Sequence, residues 1–238
     1  MRNSLPYATT PSVETQVRVN AFVRGVYNWM AIGLGLTAVT SFFVANSPTM
    51  LQLIFGNPLV FFGLIIAELG LVFSISARVE RLRAGTATNL FMLYAILNGA
   101  TLSAVFIRYT MSSIASTFFV CAATFLAMSI YGWTTKKDLT SWGNFLFMGL
   151  IGIIIASVVN MFVQSSGMSM IISYIGVLVF VGLTAYDTQK IKTMAMTQPA
   201  GLDGAVIRKG AILGALSLYL DFINLFLMLL HIFGGNRE

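Results

Sequence analysis

Three carboxylates stand inside apolar stretches of this chain. Asp221 lies within residues 210–233, GAILGALSLYLDFINLFLMLLHIF; Asp187 lies near one end of the preceding apolar segment; Glu68 sits in IIAELGLVFSISARVERL. An ionised, unpaired carboxylate at the centre of a membrane helix costs about 2.5–3.5 kcal/mol on insertion scales, so each needs a partner, a proton or water. Asp187 and Asp221 flank a turn centred near residue 204, and antiparallel neighbours can bring them side by side. Two carboxylates in a low-dielectric site share a proton and titrate as a pair, which makes a proton-sensitive element. Such a pair also suits an oxygen-loving cation. Ca²⁺ takes carboxylates, carbonyls and water, so Asp187 and Asp221 are candidate Ca²⁺ ligands, with Glu68 and Asn224 beside them. The structural alternative is a pair that only locks two helices together.

These groups need helices to hold them. Positions 210, 214, 217, 221, 224 and 228 fall on one helical face and read Gly210, Gly214, Ser217, Asp221, Asn224 and Met228. A small or polar stripe on an otherwise apolar helix places that helix inside a bundle. Composition agrees: the 238 residues are 57% hydrophobic and 9% charged, far from the quarter or so charged that is usual in soluble domains. Seven segments of spanning length follow one another, at about 26–45, 58–77, 90–107, 114–133, 144–163, 170–188 and 211–233. The expected architecture is an all-α membrane protein of seven transmembrane helices. Residues 1–24 are expected to form a mobile cytoplasmic tail, 25–234 one transmembrane domain, and 235–238 a short end. The first spanning helix is expected to act as an uncleaved anchor.

Basic residues set the expected orientation. Arg2, Arg18 and Arg24 precede the first segment; Arg78, Arg81 and Arg83 follow the second; Lys136 and Lys137 follow the fourth; Lys190, Lys192, Arg208 and Lys209 border the sixth connection. The opposite connections carry only Arg108, with Arg237 at the C-terminus. This asymmetry puts the N-terminus in the cytoplasm and the C-terminus outside. The net charge of +6 is spread over short loops, which argues against nucleic acid. Cys121 is the only cysteine, so no intrachain disulfide forms. Pro48, Gly56 and Pro58 read as punctuation of the first outer turn and Gly143 of the fourth inner one. Asn98, Thr101, Ser103, Ser129, Ser157 and Asn160 are read as packing groups, and His231 as a bystander near one helix end.

YIGVLVFVGLTAYDTQKIK at 174–192 and GALSLYLDFINLFLMLL at 214–230, with ELGLVFSIS at 68–76 and NGATLSAVF at 98–106, resemble the Bax inhibitor-1 family in its bacterial form. The resemblance covers about Phe22 to Phe233. It implies seven helices with the last enclosed by the other six, and a pH-sensitive calcium leak controlled by a proton-sharing aspartate pair, matched here by Asp187 and Asp221. It also implies a gating latch, an arginine on the second helix; Arg78 matches, with Arg81 as the alternative. The chain ends at GGNRE, without the long charged tail of eukaryotic members, so partner interactions through that tail are not carried over.

The leading expectation is passive Ca²⁺ conduction across a bacterial inner membrane, with Asp187, Asp221, Glu68, Asn224 and Ser217 forming the proton-sensing ion pathway. No resident cofactor and no enzyme activity are expected. A second reading is a non-transporting modulator that binds a membrane protease or a larger complex. A third, an intramembrane aspartyl protease, lacks the glycine-rich approach to the second aspartate and a Pro-Ala-Leu element. The expected partners are the bilayer, Ca²⁺ and protons, and seven helices suffice for a monomer to enclose a polar path.

Overall fold

The computed structural model describes residues 13–199 and 201–235. Residues 1–12 of the expected tail, and residues 236–238 with Arg237, lie outside the described residues. The described chain is helical, without strands: α1 (Val13–Ala45), α2 (Pro48–Phe55), α3 (Pro58–Arg78), α4 (Ala84–Leu102), α5 (Ala104–Arg108), α6 (Met111–Thr134), α7 (Thr140–Val163), α8 (Ser166–Thr197) and α9 (Gly204–Phe233). Seven helices are long and apolar enough to cross a bilayer: α1, α3, α4 continued by α5, α6, α7, α8 and α9. This is a multi-pass membrane protein.

Helix starts follow local chemistry. Asn57 Oδ1 accepts from Leu59 N–H at 3.1 Å just before Pro58; proline suits the first helical position because its missing N–H would have no helical partner there. Ser165 Oγ accepts from Met168 N–H at 3.3 Å to begin α8, and Asp203 Oδ1 accepts from Ala205 N–H at 3.1 Å to begin α9. Two residues, Gln164 and Ser165, turn α7 into α8; Gln164 takes a left-handed φ of 53° and donates its N–H to Asn160 O at 2.8 Å. The third span breaks at Ser103, whose hydroxyl turns back to Ala100 O at 2.7 Å.

The helices differ from expectation in three places. The first begins at Val13, and Val19 and Phe22 join the buried core, so residues 13–24 belong to α1 instead of a tail. Pro48 opens the short helix α2. The sixth segment continues to Thr197, and its turn into α9 contains Gly201 at φ +84° and ends by residue 204.

Two-thirds of the apolar stretch of α9 is buried, against 6% for α3 and 11% for α7. It packs on α1, α4, α6 and α8 and touches α3 lightly, while α7 packs on α8. The most enclosed helix is therefore the one with the polar stripe, although these packed faces stop short of a ring of six. Helices α3 and α7 share no packed face.

Candidate functional site

A cavity of about 780 Å³ opens in that unsealed sector, between α3 and α7, with α9 as its floor. Glu68 reaches it from α3, Tyr94 and Asn98 from α4, Asn144 and Ser157 from α7, Asp187 and Lys190 from α8, and Ser217, Asp221, Asn224 and Met228 from α9. The five residues expected to form the ion pathway, Asp187, Asp221, Glu68, Asn224 and Ser217, thus border one space.

Asp187 and Asp221 both line the cavity and are close enough to act on each other. Asp221 is 4% exposed, and no donor group of the described residues reaches its Oδ2. A hydrogen bond between two carboxyls requires a proton on one of them. Asn224 donates its amide to Leu220 O in its own helix at 2.8 Å, which leaves its side-chain oxygen as an acceptor beside the pair.

Glu68 has different partners. Asn98 Nδ2 donates to one of its oxygens at 3.3 Å and Thr101 Oγ1 to the other at 3.0 Å. Behind Asn98 the network continues into the core. Tyr219 OH donates to Asn98 Oδ1 at 3.1 Å, lies 2.6 Å from Thr37 Oγ1, and Thr37 bonds to Ala95 O at 2.9 Å. One polar chain therefore links α3, α4, α9 and α1. Asn98 and Thr101 were expected to serve packing and are the direct donors to Glu68. Tyr219 was missed because its phenyl ring reads as core, and the ring does pack edge-on against Phe91 and Tyr94.

The nearest cation was also missed. Lys190 lines the cavity and acts electrostatically on Asp187. The signal was in Asp-Thr-Gln-Lys, since positions three apart share a helix face. Arg78 and Arg81 are both exposed and outside the cavity lining. Among the described residues, no three His, Cys, Asp or Glu side chains converge as a metal cluster. His231 Nε2 meets Ser169 Oγ at 3.2 Å, and Cys121 is buried.

With this geometry in place, comparison with known proteins decides the family. The sequence profile described as "Inhibitor of apoptosis-promoting Bax1" matches residues 19–238. The chain belongs to the Bax inhibitor-1 family. It is 54% identical to the inner membrane protein YbhL of Escherichia coli K12, over 94% of this chain and 96% of that one. A protein of Borreliella burgdorferi is 47% identical over 92% of this chain and 94% of its own length. One from Deinococcus radiodurans is 40% identical over the full length of both. In each of these three comparisons the similarity extends over more than nine-tenths of both chains.

Proposed function

We propose that this Bax inhibitor-1 protein is a pH-sensitive cation leak, with Ca²⁺ as the permeant ion, in a bacterial inner membrane. The reading rests on one observation: Glu68, Asp187 and Asp221 border a single cavity within a bundle of apolar helices. Carboxylates and an amide oxygen match the ligand preference of Ca²⁺. Because Glu68 is held by Asn98 and Thr101 while the aspartates line the same cavity from α8 and α9, the acids act as successive stations for a passing ion, and Asp187 and Asp221 are its ligands when unprotonated. Protonation of the pair sets the charge the ion meets. Lys190 is the counter-charge beside the pair; Arg78 acts as the latch when α3 moves toward α8. The basic ends of the helices face the cytoplasm, with the N-terminus inside. We propose no catalytic step.

Ca²⁺ uptake into dye-loaded liposomes, scanned over about pH 6 to 8, tests the reading with Asp187→Asn and Asp221→Asn alongside. Asparagine keeps a hydrogen bond across the pair but cannot titrate. Protein-dependent flux with a pH profile flattened by either substitution is expected. Wild-type liposomes no leakier than empty ones at any pH would overturn conduction and leave the non-transporting modulator in its place.

A further inference from the structure

A second cavity, of about 750 Å³, lies at the lysine-rich end of the bundle, between the α6–α7 loop and the last turns of α8. Lys136, Lys137, Lys190 and Lys192 border it, against one acid, Asp138. The loop is held in place. Gln189 accepts from Leu139 N–H and donates to Lys137 O, both at 2.8 Å. Asp138 is committed locally: its carboxylate accepts from Thr140 N–H at 2.9 Å. Hydrogen bonds to Thr140, from its side chain first and its backbone second, hold that carboxyl below its usual range. Lys192 is committed as well, donating to Trp133 O at 2.5 Å and lying over the Trp133 ring. Lys136, Lys137 and Lys190 are exposed, and no carboxylate of the described residues forms an ion pair with Lys136 or Lys137.

A preformed depression with two ammonium groups that have no acid partner, and a third, Lys190, that also acts on Asp187, suits a ligand with several anionic oxygens on one centre. Trp133, at this end of α6, and Trp142, 61% exposed in the first turn of α7, are the residue type that sits at headgroup level. At that level the abundant anion is phosphate, and basic pockets between helices bind such headgroups. We infer that this pocket is a binding site for a phosphoryl anion, with Lys136, Lys137 and Lys190 as its ligands.

Lys190 borders both cavities, so an anion in the second draws on the ammonium that faces Asp187. This coupling rests on the leak proposed above. Binding itself does not, and is measured without flux.

The test is native mass spectrometry of the full-length protein in detergent, titrated with phosphatidylglycerol and with phosphatidylcholine of the same chains. Phosphatidylglycerol should bind in preference. At about fivefold per lysine, K136Q/K137Q should weaken it roughly 30-fold and K190Q about fivefold. The charge-keeping K136R/K137R should retain it, and R81Q/R83Q, which removes two exposed charges of the α3–α4 connection, should leave it unchanged. Inorganic phosphate added as competitor separates the sources: displacement at millimolar levels assigns a soluble phosphate, and no displacement assigns the lipid. Equal binding of the two lipids, with no binding of inorganic phosphate, would overturn the site. So would equal weakening by R81Q/R83Q.

Discussion

At the scale of single residues, polar groups in this protein are organised as two networks with different duties. The aspartate pair is short, with Lys190 as its cation. The Glu68 network is long, and its middle link is Tyr219, whose hydroxyl touches both Thr37 and Asn98. Tyr219→Phe keeps the ring packing and removes both bonds, so it should destabilise by about 1–2 kcal/mol, read from thermal unfolding in detergent. Adding Thr37→Val should cost less than the same change in the unaltered protein, since its bond to Tyr219 is already gone and only the bond to Ala95 O remains to lose. The carboxylates were legible in the sequence because acids are rare in apolar segments. Their donors were not. Asn98 and Thr101 look like ordinary packing groups until α4 is set against α3, and Tyr219 does double work as core ring and hydroxyl. Lys190 is readable from its spacing to Asp187, although in the sequence its charge serves equally well as a topology signal.

At the scale of helices, the site depends on how closely α6 and α7 approach α8. A Cβ on Gly132 would run into the backbone carbonyl of Ala185, two residues before Asp187. A Cβ on Gly143 would meet the ring of Tyr186. Gly132→Ala should therefore push α6 off α8 and destabilise by about 1–3 kcal/mol. Gly152 has no neighbour within 4 Å of such a Cβ, so Gly152→Ala should be neutral or stabilise by up to about 1 kcal/mol through helix propensity. Unfolding of the two variants side by side checks the contrast. Gly143 had been read as a turn signal, and in the fold it is a buried position in the first turn of α7. Glycine between apolar runs carries both meanings, and only a neighbouring helix distinguishes them. The segment limits were legible from hydropathy except where a helix outruns its apolar part, as α1 and α8 do at their polar ends.

At the scale of the whole molecule, an odd number of candidate spans among the described residues leads us to expect residues 13 and 235 on opposite sides of a membrane. Cys121 is 0% exposed, so the native thiol should resist a membrane-impermeant maleimide in the folded protein. Single cysteines placed at exposed Arg81 and Gly235 should label oppositely in spheroplasts: Gly235→Cys from outside, Arg81→Cys only after permeabilisation. The reverse pattern would invert the assignment drawn from the lysines and arginines. The bundle was legible as a count of spans and as a polar stripe on its last helix. Which helices leave a sector open was not, because lipid-facing and gap-facing apolar residues are the same residues in a sequence.

That open sector bears on what counts as the boundary of the chamber. Since α3 and α7 flank it without closing on each other, acyl tails would have to supply the missing wall beside Glu68. How well this protein separates the two sides of a bilayer is then shared between polypeptide and lipid. The same chain in a membrane of different fluidity or thickness is, in that sense, a different barrier.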